Sequence, residues 1–193
     1  VVDIDTGDKS FAHSLDYRKE ARLNGFWIRS DYIIPPRVPG EADQPPEMFL
    51  ASLDAMFDDM KAAGVPLEEI VVINDSGQQH GHVYLNRQSE GLFSQLKGEG
   101  CAEKDLLTLL DGSFAYLTAP IWMTSNTVEQ TEFVRKEVGG KEKMIRLSGS
   151  DAPLRFTGTT MRRVAQQFPR AYKATENIQL ISSFIPAVLT GNS

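Results

Sequence analysis

Apolar residues recur at helical spacing over residues 46–63, and this pattern predicts the clearest helix of the chain. Pro46 stands at the start, where its missing N–H is harmless, and Gly64 stands where a C-terminal cap belongs. A helix with one apolar face is expected to pack against another layer of the fold. The residues of that face are Phe49, Leu50, Leu53, Met56, Phe57 and Met60.

A continuous apolar run at residues 70–73 follows this helix and predicts a buried strand, and residues 82–85 predict a short strand after it. Strands are also predicted at residues 1–4, 9–15, 26–28, 32–34 and 178–181. Further helices are predicted at residues 103–110, at 126–138 and in a segment that ends before Pro169. The helix at 126–138 begins with Asn126 and Glu129, the spacing of a capping box. Strands and helices in this order predict an α/β fold.

Composition limits the functions that the chain can have. Its 193 residues are enough for one sizeable core, and 41% hydrophobic and 24% charged residues are ordinary for a globular domain. A net charge of −6 argues against general nucleic-acid binding and against docking on anionic membranes. No apolar run reaches the length of a membrane span. Cys101 is the only cysteine, so no internal disulfide can form, and we expect a cytoplasmic protein.

The polar loop at residues 76–81, with the sequence SGQQHG, is the strongest indication of function. It follows the predicted strand at 70–73, and open α/β sheets bind their ligands at the carboxyl ends of strands. Its amides, imidazole and hydroxyl can donate and accept hydrogen bonds, and its glycines allow a ligand to approach closely. This chemistry suits an uncharged, polyhydroxylated ligand such as a sugar.

Five motifs of the chain resemble those of the FGGY carbohydrate kinases, in the same order and at similar spacing. Gly40, Gln44 and Pro46 match the G-x-x-x-Q-x-P pattern before an amphipathic helix, and the loop at 76–81 resembles the SGQ(M/Q)HG motif. The other motifs are PIWM at 120–123, RFTG at 155–158 and SSF at 182–184. Together they look most like the xylulose kinases of that family, and the resemblance covers nearly the whole chain.

The resemblance implies a fold of two ribonuclease H-like (actin-like ATPase) domains around a cleft, each an α/β domain with a mixed sheet and flanking helices. Residues 1–193 would form most of the first, sugar-binding domain. The first phosphate-loop strand would lie before Val1, and the catalytic aspartate and the C-terminal ATP domain would lie beyond Ser193. ATP and Mg²⁺ would then bind mostly outside this chain, which we expect to be inactive alone.

The same resemblance implies that the whole kinase transfers the γ-phosphoryl group of ATP to D-xylulose. His80 matches the family histidine that hydrogen-bonds the ketose, and Arg155 matches an arginine that reaches the sugar. Gln78, Gln79 and Trp122 would shape the pocket. The alternative for the two glutamines is to hold the loop, and the alternative for Trp122 is a place in the core. No catalytic, cofactor-binding or metal-binding residue is assigned within the chain.

One departure from the family pattern concerns Thr124, which stands where these kinases have an aspartate. A kinase for another sugar or polyol, such as ribulose, gluconate or glycerol, and a non-catalytic sugar sensor therefore stay open as alternatives. His80 and His82 form an H-x-H pair that could bind a metal, as in a metal hydrolase, but only His13 is left as a further histidine. Without the second domain an apolar face would be exposed, so self-association or a homodimer is also expected.

Overall fold

The computed structural model describes residues 1–101 and 103–193. The strands are β1 (Asp43–Gln44), β2 (His82–Asn86), β3 (Phe114–Tyr116), β4 (Ala119–Pro120) and β5 (Thr175–Leu180). The helices are α1 (Pro46–Ala62), α2 (Ser89–Gln95), α3 (Leu106–Leu109), α4 (Val128–Val138), α5 (Lys141–Ser148), α6 (Thr157–Gln167), α7 (Pro169–Ala174) and α8 (Ile181–Thr190). Short 3-10 helices lie at Ala21–Phe26, Leu67–Glu69 and Glu99–Cys101. The α/β class predicted from the sequence is confirmed.

The central strand β2 pairs antiparallel with β3 on one side and with β5 on the other. Successive side chains of a strand point to opposite faces, so β2 contributes to two layers. Val83 and Leu85 join the main core with α1, α2 and α8, whereas Tyr84 packs with Tyr116 and with Val164 of α6. Helices therefore cover both faces of this sheet, and residues 82–85 are all buried.

A second antiparallel pair joins β1 to β4 and brings two of the sequence motifs together. Asp43 lies opposite Pro120, and Gln44 lies opposite Ala119. Gln44 belongs to the first motif and Pro120 to the PIWM motif. The two motifs thus form one short antiparallel ribbon, although about 75 residues lie between the paired positions in the sequence.

The helix predicted over residues 46–63 is confirmed as α1. Pro46 occupies its first turn, and Gly64 follows its end in the left-handed conformation, with φ +74°. Of the predicted apolar face, Phe49, Leu50 and Met60 are buried. Leu53, Met56 and Phe57 are only partly buried.

The strand predicted at residues 70–73 is wrong. Val71, Val72 and Ile73 are 75%, 70% and 56% exposed, and the segment belongs to no strand of the described chain. A strand needs a partner, and in the described chain no strand of either sheet pairs with this segment, so its apolar composition alone does not make it a strand. The segment lies instead beside the end of α8, where it shares a groove with Pro186 and Leu189.

The early strands are also wrong, because the local backbone turns where a strand would have to be extended. In this part of the described chain an isolated bridge joins Val2 to Lys9, and neither segment forms a strand. Trp27 and Tyr32 take left-handed φ values of +57° and +65°, which interrupt the stretches predicted at 26–28 and 32–34. The strand predicted at 178–181 is confirmed in β5, which ends at Leu180.

The other predicted helices are found at the expected places, although their boundaries differ. The helix predicted at 103–110 is shorter in the structure, where it is α3. It begins after Asp105, because the Asp105 side chain caps it by accepting a hydrogen bond from the Thr108 amide. α4 begins only after Thr127, whose hydroxyl donates to the Leu154 carbonyl instead of capping the helix. Among the described residues, no helix combines the length and the apolar character that crossing a bilayer requires.

Candidate functional site

The loop at residues 76–81 is packed against the start of α8. The Gly81 carbonyl accepts a hydrogen bond from the Ile181 amide at 2.9 Å. A Cβ atom on Gly77 would lie 2.3 Å from the backbone nitrogen of Ser182, so only glycine fits at this position. The SSF motif at 182–184 therefore supplies the surface on which the SGQQHG loop rests.

Gln78 ties the same loop to β1. Its Nε2 donates to Oε1 of Gln44 at 2.8 Å, and Gln44 Nε2 donates to the Tyr32 carbonyl at 2.7 Å. Gln44 is buried, so this amide chain is an internal contact. The arrangement favours the loop-holding alternative for Gln78, whereas Gln79 is exposed on the loop surface.

His80 has an unusual backbone and a defined aromatic neighbour. Its φ is +61°, in the left-handed region that non-glycine residues rarely adopt. Its ring lies 4.6 Å from the ring of Phe156, measured between centroids, at an interplanar angle of 31°. Its carbonyl accepts from Thr157 Oγ1 at 3.1 Å and contacts His82 Nδ1 at 2.9 Å. The SGQQHG and RFTG motifs therefore meet at His80.

Arg155 lies close enough to His80 to affect its protonation. Partial burial lowers the pKa of the His80 imidazole, and the positive charge of Arg155 lowers it further. The ring is thus neutral at physiological pH and can donate with one nitrogen while it accepts with the other. Arg155 itself is exposed, so its donors are free to face a ligand. Arg155 is next in sequence to Phe156, whose ring packs against His80, so the two predicted residues lie on the same side of the loop as this aromatic contact.

Trp122 is 52% exposed and follows β4, so it is not a core residue. The aromatic partner of His80 is Phe156 rather than Trp122. Nearby Thr124 is buried, and its hydroxyl donates to the Ala42 carbonyl at 3.0 Å. An ionised aspartate could not make this bond because it has no proton to donate. Thr124 therefore holds the segment before β1 to the segment after β4.

Buried charged side chains cluster beside β1, and no local sequence pattern indicates this cluster. Glu41 accepts from Arg37 at 2.6 Å and from the fully buried Arg163 of α6 at 3.4 Å. Burial alone would raise the pKa of Glu41, but the hydrogen bonds from Arg37 outweigh it, and the pKa is lowered. Asp43 is buried beside it, and burial raises the pKa of that carboxyl. The Arg163–Glu41 pair attaches α6 to the segment directly before β1.

His82 does not form a metal pair with His80. It is fully buried at the start of β2, and its two ring nitrogens contact the His80 carbonyl and the Tyr84 hydroxyl, each at 2.9 Å. Both nitrogens are therefore engaged within the protein. The described residues include no group of three or more His, Cys, Asp or Glu side chains placed to hold a metal ion.

A cavity of about 710 Å³ is lined in part by the first half of the loop. Ser76, Gly77 and Gln78 line it from the loop, and Leu53 and Met56 line it from α1. This explains why two residues of the predicted apolar face of α1 are only partly buried. The sequence carries no signal for this cavity, because its walls come from distant segments.

Phe156 and Thr157 are the site residues that sequence reasoning missed. Both belong to the RFTG motif, so the motif was the available signal, but only Arg155 was singled out from it. Their contacts with His80 join residues 77 positions apart in the sequence for the Thr157 bond. Local patterns do not reveal a pairing over that distance.

The chain is similar to proteins that are named as xylulose kinases. The chain is 39% identical to the xylulose kinase of Saccharomyces cerevisiae over 149 residues, which is 77% of the chain and 24% of that enzyme. It is 30% identical to D-xylulose kinase A of Aspergillus niger over 182 residues, 94% of the chain and 31% of that protein. The chain is a homologue of the xylulose kinases. It spans about a quarter to a third of their length.

The fold agrees with this relationship. The crystal structure of a "xyloylose kinase" from Brucella ovis matches 79% of the chain and 26% of its own, with a TM-score of 0.58 and 14% sequence identity. At that identity the match establishes the fold, which is the sugar-kinase fold that the motifs implied. No protein-family model matches the chain. The resemblance to carbohydrate kinases drawn from the five motifs is confirmed by the xylulose kinase relatives.

Proposed function

We propose that residues 1–193 are the sugar-binding domain of a longer, ATP-dependent kinase that phosphorylates D-xylulose to D-xylulose 5-phosphate. The observation that carries the proposal is the similarity to relatives named xylulose kinase, which reaches 39% identity over 77% of the chain. The meeting of the SGQQHG and RFTG motifs around His80 supports it, because a sugar needs several polar groups at one place.

In this proposal His80 and Arg155 hold hydroxyl groups of the sugar. The neutral imidazole of His80 can both donate and accept, which matches the two roles of a hydroxyl, and Arg155 only donates. Phe156 gives the imidazole an apolar backing. Gln79, exposed on the loop, and Trp122, half exposed after β4, would complete the pocket.

ATP would supply the phosphoryl group, and Mg²⁺ would neutralise its charge during transfer. Magnesium in such enzymes is usually held by one or two carboxylates together with water and the phosphates of the nucleotide. ATP and Mg²⁺ would bind mostly outside residues 1–193, as would the catalytic aspartate, and we expect the chain alone to be inactive. A cytoplasmic location and a homodimer belong to the same proposal.

The test is an ADP-release assay on the full-length protein that contains this chain. D-xylulose would be compared with ribulose, gluconate and glycerol at equal concentration. The proposal predicts the highest kcat/KM with D-xylulose. Faster turnover with another sugar would overturn the substrate, and sugar binding without turnover of any of them would point to a sensor.

A further inference from the structure

The backbone of His80 adopts a strained conformation, and contacts with neighbouring residues must stabilise it. Trp27, Tyr32 and His80 are the described non-glycine residues with positive φ. The left-handed conformation costs a residue with a Cβ atom about 1–2 kcal/mol. Such strain persists only where the surroundings fix the conformation, and it is concentrated at functional sites.

The neighbouring residues stabilise this conformation through hydrogen bonds to the carbonyl oxygen of His80. It belongs to the peptide that joins His80 to Gly81, so its direction is set by ψ of His80. Thr157 Oγ1, at the start of α6, donates to this oxygen at 3.1 Å, and His82 Nδ1, at the start of β2, lies 2.9 Å from it. A carbonyl oxygen can only accept, so His82 Nδ1 must carry the proton of that bond.

The other side of the His82 ring fits this tautomer. His82 and Tyr84 are two residues apart on a strand, so their side chains share a face. The Tyr84 hydroxyl lies 2.9 Å from His82 Nε2 and, with Nδ1 protonated, donates to it. Burial lowers the pKa of His82 to about 4, so the ring carries a single proton at neutral pH. Tyr84, His82 and the His80 carbonyl thus form a directed chain of hydrogen bonds.

We propose that His82 is a positioning residue for the sugar site: its Nδ1–H bond fixes the His80 peptide, and so keeps the His80 imidazole stacked on Phe156 beside Arg155. This inference rests on the proposed function, in which His80 contacts the sugar. His82 itself touches no ligand. Losing its bond would leave Thr157 as the remaining partner of this carbonyl, so ψ of His80 would be held less tightly and the imidazole would sample more orientations.

Two substitutions distinguish the role of the Nδ1 hydrogen bond of His82 from that of the Nε2 hydrogen bond. In His82→Asn the amide can place a donor near the former Nδ1 position, whereas in His82→Gln the amide reaches toward the former Nε2 position. We expect His82→Gln to raise the KM for D-xylulose about tenfold, the effect of one lost hydrogen bond of about 1.4 kcal/mol. We expect His82→Asn to stay within about threefold of the wild type.

The kinetic pattern distinguishes positioning from general damage to the fold. The KM for ATP should not change in His82→Gln, and kcat should change less than the KM for the sugar. His13→Gln is the matched control, because His13 contacts Asp59 of α1 and Phe11 rather than the loop. Equal sugar KM values in the wild type, His82→Gln and His82→Asn would overturn the proposal.

Histidine ¹⁵N NMR of the full-length protein tests the same bond without activity. The proposal predicts the Nδ1–H tautomer for His82 and a shift of the His80 ring signals in His82→Gln but not in His13→Gln. An Nε2–H tautomer for His82 would overturn the proposal whatever the kinetics show. If the wild type turns over no sugar, the kinase proposal fails, and the spectra still decide whether His82 fixes the His80 peptide.

Discussion

At the residue scale, three polar side chains around the loop form hydrogen bonds with specific partners in the protein. Thr124 donates to the Ala42 carbonyl, Gln78 to Gln44, and Thr157 to the His80 carbonyl. Breaking such a bond in a buried place leaves an unpaired polar group, which costs more than the bond itself contributes. Substitutions at these positions therefore have predictable signs.

Replacing Thr124 with the aspartate of the family pattern should destabilise this protein. The carboxylate would be buried, would lose the bond to the Ala42 carbonyl and would face its oxygen. We expect Thr124→Asp to lower the free energy of unfolding by about 3 kcal/mol in urea titrations of the full-length protein. Thr124→Ser keeps the hydroxyl and should cost about 1 kcal/mol. Wild-type stability in Thr124→Asp would show that the threonine bond is unimportant.

His82 should also make stability depend on pH. Its pKa is lowered by burial to about 4, whereas the unfolded chain has an ordinary histidine pKa near 6.5. As the pH falls below about 6.5, the unfolded state takes up a proton that the folded state refuses until about pH 4, so stability falls over that window. The His82 contribution to the free energy of unfolding should shrink by about 3 kcal/mol.

This contribution is measured as a difference between variants, because carboxylates titrate in the same range. Urea titrations from pH 7.5 to 4 on the wild type and on His82→Asn isolate it. The stability gap between the two should narrow as the pH falls. A gap that is constant with pH would mean that His82 titrates normally in the folded protein.

At the scale of elements, the loop and α8 are coupled through one close approach. Gly77→Ala would place a methyl group 2.3 Å from the Ser182 nitrogen, so the loop must move away from α8. We expect a loss of about 2 kcal/mol or more in the free energy of unfolding, together with weaker sugar binding. Gly91→Ala in α2 is the control, because its new Cβ meets nothing within 4 Å. It should be neutral or stabilising by up to about 1 kcal/mol. Equal effects of both substitutions would contradict the close approach.

Elements with a strong local pattern could be predicted from the sequence, and those that need a partner could not. The spacing of apolar residues and the flanking Pro46 and Gly64 define α1 without help from the rest of the chain. The apolar run at 70–73 has the composition of a strand, but pairing depends on which segments border β2. The local sequence motif was enough to predict His80 as a site residue. Its contacts with Phe156 and Thr157 could not be predicted, because they depend on a segment that is distant in the sequence.

At the scale of the whole molecule, the exposed apolar segment at residues 70–73 is the feature with the clearest consequence. Val71 and Val72 are adjacent, and each is at least 70% exposed. In the described chain their backbone belongs to no strand. Unpaired apolar segments of this kind associate with other chains. The curated relatives are about three to four times as long as the segment that matches this chain.

The 193-residue chain alone should therefore self-associate. We expect sedimentation velocity to show dimers or larger species that grow with concentration, and Val72→Asp to reduce them. Leu147→Asp is the matched control, since Leu147 is 71% exposed, close to the 70% of Val72, but lies on α5. A monomer at all concentrations, or equal effects of the two aspartates, would contradict this role of the segment.

The central claim is that the loop around His80 binds the sugar, and calorimetric titration of the full-length protein with D-xylulose tests it most directly. The wild type should bind, and His80→Ala should bind at least about tenfold more weakly, since it loses a hydrogen-bonding imidazole. Its affinity for ATP and its melting temperature should be nearly unchanged, because the ring is only partly buried. If His80→Ala binds D-xylulose as tightly as the wild type, the site lies elsewhere and the account is wrong.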